Sequence, residues 1–199
     1  MTRRSHDRAA TWPRRVRTVA LSLPILIAAW VLGPASRQAQ AADELGGPFT
    51  LVDQDGRTVT DTQFRGKWML IYFGYTHCPD ACPTALTDID AALSGMDPAK
   101  RAKVQPIFIT VDPARDTPTV MKDYVGAFEG ANIVGLTGTQ AQVSAVEAEY
   151  RVYAKRHEEK DGDYAMSHTS AIHVMDPDGH FVAIVPPERL GERLAQLLR

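Results

Sequence analysis

Apolar runs alternate with amphipathic stretches along most of the chain, and this pattern predicts strands and helices in turn. Residues 68–73 and 104–111 are short runs rich in bulky apolar residues, which is typical of buried strands. Between and after them, apolar residues recur every three or four positions, which predicts amphipathic helices. We expect these helices from Pro83 to about Met96, from Pro118 through Phe128, and from a Thr139 cap through Tyr150.

Two pairs of short apolar segments predict β-hairpins near the two ends of this pattern. The first pair, 49–52 and 57–60, flanks an Asp-Gly turn, and the second pair, 171–175 and 180–185, flanks Asp-Pro-Asp-Gly. Asp and Gly are the residue types that tight reversals of the chain favour.

The remaining segments complete an α/β pattern. A brief strand is expected at 133–136, a short extended piece at 152–154, a charged surface loop at 156–163 and a closing helix from Pro187 through Leu197. Helices that connect buried strands, with hairpins at both ends, predict an α/β domain in which helices flank a mixed sheet.

The first 41 residues differ in composition from the rest. Six arginines precede an apolar stretch from Val19 to Leu32, and the small-residue pattern Ala39-Gln40-Ala41 follows, which is the layout of an export signal. The apolar stretch is shorter than the roughly 20 residues that span a bilayer, which favours cleavage over an uncleaved membrane anchor. We expect a signal or anchor at 1–41, a linker at 42–48 and the folded domain at 49–199.

Charge supports this division and excludes one class of partner. After Ala41 the chain has 15 basic and 23 acidic residues, a net charge of −8. An acidic domain without a basic stripe is not expected to bind nucleic acid. Export to an oxidising compartment would permit a disulfide between the two cysteines, Cys78 and Cys82.

These two cysteines lie where a predicted strand leads into a predicted helix. The partial positive charge of a helix N-terminus favours thiolates. Three kinds of site fit Cys78 and Cys82 equally well: a structural disulfide, a redox-active dithiol, or a soft-metal site suited to Cu(I) with an imidazole as third ligand.

A soft-metal site at the two cysteines would need a histidine as its third ligand. His168 lies in a polar segment just before the second hairpin, where its side chain is free to face a neighbouring loop. His77 is adjacent to Cys78, so its side chain should leave the strand on the opposite side. We expect His77 to pack or to contact the ligands rather than the metal, and His173 and His180 to be structural.

Three segments resemble the Sco/SenC family of copper-handling, thioredoxin-like proteins. They are Phe73–Pro83, Thr110–Pro118, and Ser167-His168-Thr169 followed by residues 175–179. Their order and spacing agree across nearly the whole predicted domain. The resemblance implies a thioredoxin-like fold with an N-terminal β-hairpin. It also implies assistance in maturing the dinuclear copper site of cytochrome c oxidase, and because many members are membrane-anchored it argues against cleavage of the N-terminal segment.

The resemblance also implies a ligand set. Cys78, Cys82 and His168 would bind one copper ion per monomer, as Cu(I) or Cu(II). Asp112 matches an acidic residue beside the metal site and is expected to act next to the ligands without binding copper. Ser167 stands where the family usually has a bulky or acidic residue, a change that removes no ligand.

The resemblance, together with these residues, implies two candidate functions. The first is a copper chaperone, exported to the periplasmic or extracytoplasmic face of the cell membrane. Its partners would be the copper-bearing subunit of the oxidase and an upstream copper donor or reductant. The alternative is a thiol-disulfide reductase of the oxidase cysteines, with Cys78 and Cys82 as the catalytic dithiol. A peroxidase is less favoured, because a peroxidatic thiol needs a pocket supported by threonine and arginine rather than a paired thiol.

Overall fold

A seven-stranded mixed β-sheet is the centre of the fold. The structure, a computed structural model, describes residues 45–198, in which a second sheet has two strands. The strands are β1 (Thr50–Asp53), β2 (Thr58–Thr60), β3 (Trp68–Gly74), β4 (Val104–Thr110), β5 (Val134–Thr137), β6 (Ala154–Glu158), β7 (Tyr164–His168), β8 (Ile172–Met175) and β9 (Phe181–Val185). The large sheet has the order β2-β1-β5-β4-β3-β8-β9, and β6 pairs with β7.

Strands β3, β4 and β5 are parallel, and they form the most buried part of the large sheet. All seven residues of β4 and six of the seven in β3 are buried, which explains their continuous apolar sequences. The register runs from Trp68 beside Val104 to Gly74 beside Thr110. Because the strands are parallel, the loops that follow Gly74 and Thr110 leave from the same edge of the sheet.

Five α-helices connect or follow these strands in the described residues: α1 (Ala81–Ser94), α2 (Pro98–Arg101), α3 (Pro118–Gly126), α4 (Gln140–Glu149) and α5 (Leu190–Leu197). Three short 3-10 helices span Asp61–Phe64, Lys160–Gly162 and Pro187–Arg189. The predicted cap of α4 is present, since Thr139 Oγ1 accepts from the Gln142 amide while Gln142 Oε1 accepts from the Thr139 amide.

The predicted α/β class is confirmed, and so are both hairpins. Strands β1 and β2 form the N-terminal hairpin, whose first strand also pairs with β5, and β8 and β9 form the C-terminal one. One helix start was wrong: α1 begins at Ala81 rather than at Pro83, so Cys82 lies inside its first turn. The closing helix α5 begins at Leu190, because Pro187 opens a 3-10 turn instead.

The charged loop predicted at 156–163 was also wrong. Residues 154–158 and 164–168 are paired strands, with Ala154 opposite His168 and Glu158 opposite Tyr164. Four of the five residues in β6 are exposed, so the strand lacks the alternation of apolar and polar residues that marks a half-buried strand. We call β6 and β7 with their connecting turn the site hairpin, because β7 ends at His168.

The predictions for residues 1–41 lie outside the described residues, as does the beginning of the linker predicted at 42–48. Within residues 45–198, every helix is too short or too polar to cross a lipid bilayer.

Candidate metal centre

The loop between β3 and α1 places the two cysteines around a helix N-terminus. Cys78 is half-buried in this loop and Cys82 is buried in the first turn of α1. The backbone amide of Cys82 donates to the sulfur of Cys78, with 3.3 Å between the two atoms. The Cys78 sulfur therefore lies at the N-terminus of α1, where backbone amides can donate hydrogen bonds to it.

The second sulfur faces an imidazole. Cys82 Sγ lies 3.4 Å from Nε2 of His168, the last residue of β7. The other ring nitrogen, Nδ1, lies 3.0 Å from the carbonyl oxygen of Thr169. A carbonyl oxygen only accepts hydrogen bonds, so Nδ1 carries the hydrogen and the Nε2 lone pair of the neutral ring points towards the sulfur. This is the orientation that a metal-binding histidine requires.

Burial keeps both groups uncharged while the site holds no metal. It raises the pKa of the Cys82 thiol well above its ordinary value. Burial also lowers the pKa of His168, which leaves the imidazole neutral. A metal ion that binds here therefore displaces the thiol proton and meets an imidazole that is already free to bind it.

The three side chains form a compact ligand set. The two sulfurs and the imidazole nitrogen lie within 4.8 Å of one another, and among residues 45–198 they are the one group of three or more His, Cys, Asp or Glu side chains that could hold a metal. Two thiolates and one imidazole suit copper. Both cysteines are free thiols in the structure, so the disulfide between Cys78 and Cys82 stays a prediction.

Close packing around the sulfurs depends on a glycine. A Cβ atom on Gly74 would lie 2.9 Å from Cys82 Sγ and 2.7 Å from a ring carbon of Phe108. Both distances are shorter than normal van der Waals contact, so only glycine lets the cysteine sulfur approach the end of β3 this closely.

Two tyrosines hold the imidazole. The rings of Tyr72 and Tyr75 meet the ring of His168 edge-on, with centroids 6.2 Å and 5.9 Å away. The Tyr72 hydroxyl lies 2.9 Å from the Ser170 hydroxyl, which ties β3 to the residues just after His168.

The two predicted neighbours of the ligands, Asp112 and His77, differ in burial and in their hydrogen-bond partners. Asp112 is buried, and its carboxylate accepts hydrogen bonds from Arg115 and Tyr164 rather than from ligand side chains. The His77 side chain is 52% exposed, and its Nδ1 lies 3.1 Å from Thr76 Oγ1. The role of each residue beside the ligands therefore stays a prediction.

Sequence reasoning missed Asp116, which anchors the cysteine loop. Its fully buried carboxylate accepts hydrogen bonds from Thr76 through the hydroxyl (2.6 Å) and the backbone amide (3.1 Å), and from the hydroxyl of Thr110. Burial raises its pKa, and the hydrogen bonds from the two threonines oppose that effect. The one feature of the sequence that could have identified Asp116 is its position within Thr110–Pro118, a segment that resembles the Sco/SenC family.

Comparison with known proteins identifies the family of this chain. The sequence profile of the SCO1/SenC family matches residues 37–199. The SCO2 protein of Saccharomyces cerevisiae mitochondria is 41% identical over 149 residues, which are 74% of this chain and 49% of that protein. The chain thus spans about half the length of this curated relative.

Two solved structures agree with the fold and carry copper. Bradyrhizobium japonicum ScoI with copper bound is 47% identical, covers 76% of this chain and 98% of its own, and superposes with a TM-score of 0.68. Yeast Sco1 with copper bound is 36% identical, covers 77% and 87%, and has a TM-score of 0.69. The chain belongs to the SCO1/SenC family, and the thioredoxin-like fold expected from the resemblance is confirmed.

We expect Gly74→Ala to destabilise the reduced protein by about 1–3 kcal/mol, because the new methyl group overlaps Cys82 Sγ and Phe108. Urea unfolding measures this loss. Gly126→Ala is the matched control: Gly126 ends α3 with open space around it, so alanine should be neutral or slightly stabilising there. Equal stability of the two variants would contradict the packing role of Gly74.

Asp116→Ala should cost roughly 2–4 kcal/mol of unfolding free energy, because it leaves buried donors of Thr76 and Thr110 without their acceptor. Asp116→Asn should cost less, since an amide oxygen still accepts and an amide N–H can donate to a threonine hydroxyl. The measurement is denaturant unfolding of the reduced protein. An Asn variant no more stable than the Ala variant would argue against hydrogen bonding as the cause.

Proposed function

We propose that this protein is a copper chaperone that assists assembly of the dinuclear copper site of cytochrome c oxidase. Cys78, Cys82 and His168 would hold one copper ion per monomer as cargo. One observation carries the proposal: the free Nε2 lone pair of His168 faces Cys82 Sγ at 3.4 Å, within a three-atom group that spans 4.8 Å or less. The copper-bound structures of ScoI and Sco1 support copper as the metal.

The ligands suit both oxidation states of copper, in different ways. Cu(I) is a soft ion that two thiolates satisfy, so Cys78 and Cys82 could hold it without the imidazole. Cu(II) needs the additional nitrogen ligand, which His168 supplies. Oxidation of the two thiols to a disulfide would remove both sulfur ligands, so copper loading would require the reduced protein.

The half-buried Cys78 is the ligand at which copper could enter and leave the site. Cys78 is the more accessible of the two cysteines, since it is half-buried, as is His168, whereas Cys82 is fully buried. A thiol of a donor or recipient protein could therefore exchange with Cys78 first, and the remaining ligands would follow. Such stepwise exchange of soft ligands lets the metal move between proteins without being released into water.

The same asymmetry supports a second candidate, a thiol-disulfide reductase. In that reaction the Cys78 thiolate attacks a disulfide of the partner and forms a mixed disulfide, which releases one partner thiolate. Cys82 then loses its thiol proton to the partner thiolate just released, attacks Cys78 Sγ and releases the second partner thiolate. The partner gains two electrons, the protein is left with a Cys78–Cys82 disulfide, and an upstream reductant must reduce it again.

We assign the protein to the extracytoplasmic face of the cell membrane. The arginine-rich N-terminal segment supports export or anchoring there, and the mitochondrial location in the names of the curated relatives is consistent with an extracytoplasmic role. The oxidase subunit that carries the copper site, and a copper donor or reductant upstream, would be its partners.

The ligand assignment is tested by anaerobic copper titration of the reduced protein. We expect one copper per monomer, with His168→Ala weakening Cu(II) binding strongly and removing the thiolate-to-copper absorption of the native site. Cu(I) binding should fall less, because two thiolates remain. His157→Ala is the matched control, since His157 is exposed on the same hairpin. Native Cu(II) affinity and spectrum in His168→Ala would remove His168 from the site.

A complementation assay separates the chaperone from the reductase. Cys78→Ser and Cys82→Ser should each abolish function under both mechanisms. His168→Ala should fail to restore cytochrome c oxidase activity in a deletion strain under copper limitation if copper transfer is the function. A reductase should retain activity in that variant, because both thiols remain. Immunoblotting must show equal protein levels, and full rescue by His168→Ala would favour the reductase.

A further inference from the structure

The site hairpin, which carries His168, has limited support from the hydrophobic core: of the residues in its two strands, Ala154 and Met166 pack against the core, and both are half-buried. Every residue of β6 and β7 is exposed or half-buried, and the pair is a separate sheet. A two-stranded hairpin alone is marginally stable in water. The position of His168 above the cysteines therefore depends on specific contacts between the hairpin and the rest of the protein.

One face of β7 supplies these contacts. Tyr164, Met166 and His168 alternate along the strand, so their side chains lie on the same face, and all three are half-buried. Tyr164 and His168 are four residues apart, a separation of about 13 Å along a strand. A contact that holds Tyr164 therefore limits the movement of the imidazole at the other end of β7.

Tyr164 is held by the loop that follows β4. Its hydroxyl donates to Asp112 Oδ1 at 2.9 Å, and its backbone carbonyl accepts from Arg115 Nη1 at 3.0 Å. Arg115 in turn donates from Nε to Asp112 Oδ2. These three residues, Asp112, Arg115 and Tyr164, form a closed set of hydrogen bonds that we call the clamp.

Stacking adds to the clamp. The central carbon of the Arg115 guanidinium lies 3.6 Å from the centre of the Tyr164 ring, and that of Arg156 lies at the same distance. Two guanidinium groups cannot both fit at this distance on one face, so the ring lies between them. Glu158 fixes Arg156 through an ion pair of 2.7 Å. The guanidinium groups attract the ring electrons and limit rotation of the tyrosine.

We propose that Asp112, Arg115 and Tyr164 are positioning residues that hold His168 over the cysteines and thereby determine how well the site binds Cu(II) relative to Cu(I). The proposal rests on the proposed function only in taking copper as the metal. In this proposal Asp112 affects copper binding indirectly, by holding Tyr164 and with it the site hairpin. The two thiolates belong to the β3–α1 loop and the first turn of α1, and Asp116 anchors that loop through Thr76, so loosening the clamp should leave Cu(I) binding in place.

Three clamp variants test the proposal in copper titrations. Tyr164→Leu removes the ring and the hydroxyl, and we expect Cu(II) affinity to fall by about 10–100-fold, with a weaker thiolate-to-copper absorption. Tyr164→Phe keeps the stacked ring and should lose less, as should Asp112→Asn, which keeps an acceptor for the hydroxyl. Cu(I) affinity should change by less than about threefold in all three, because two thiolates suffice for Cu(I).

The matched control is Tyr153→Leu. Tyr153 is an aromatic residue just before β6 with 57% of its surface exposed, so its ring should not influence His168. Native Cu(II) binding is expected in this variant. Native Cu(II) binding in Tyr164→Leu would overturn the proposal, and so would equal losses of Cu(I) and Cu(II), which would show a general structural role.

A metal-free measurement separates failure of the clamp from failure of the copper assignment. Backbone amides that pair β6 with β7 should exchange with deuterium about tenfold faster or more in the reduced Tyr164→Leu protein, while those between β3 and β4 stay unchanged. If the native protein binds no copper, the proposed function fails but the exchange result still decides the clamp. Unchanged exchange in the site hairpin, or faster exchange throughout the protein, would overturn the proposal.

Discussion

The contact between Cys82 Sγ and His168 Nε2 is the interaction on which the rest of the site depends. It joins residues 86 positions apart in the chain. Strand β3 makes this contact possible. It leads into the cysteine loop, and it pairs with β8, the strand that follows His168 in the chain. Gly74 at the end of β3 leaves room for the sulfur. The sheet thus brings the cysteine loop with the start of α1 close to the end of β7, and a metal can bridge them there.

Burial determines the protonation of Cys82 and His168 at this end of the sheet. A thiol and an imidazole that stay neutral in the free protein are stable side by side without a counter-ion, whereas a free thiolate at Cys82 would be costly there. Copper supplies the missing positive charge and would stabilise the thiolate form. The buried carboxylate of Asp116 is satisfied by threonine donors, so it anchors the cysteine loop without adding a competing ligand.

Much of this arrangement could be predicted from sequence, for identifiable reasons. Strands β3 and β4 are buried on both faces, so their apolar runs are unambiguous. Thr117 with Pro118, and Thr139 with Gln142, are local signals that start α3 and α4. Cys78, Cys82 and His168 were chosen as ligands through motif resemblance, because the spacing of the two cysteines alone fits a disulfide or a redox pair equally well.

Sequence by itself determined the elements whose signals are local: apolar period, turn residues and helix caps act within a few positions of the chain. Tertiary structure decided the rest. Strand β6 is almost entirely exposed and β7 is mostly half-buried, so no apolar pattern marks the site hairpin. Asp112 and Arg115 hold its Tyr164 from 52 and 49 positions away. Asp116 likewise meets Thr76 from 40 positions away. Such polar contacts depend on which loops the sheet brings together, and spacing along the chain does not encode that.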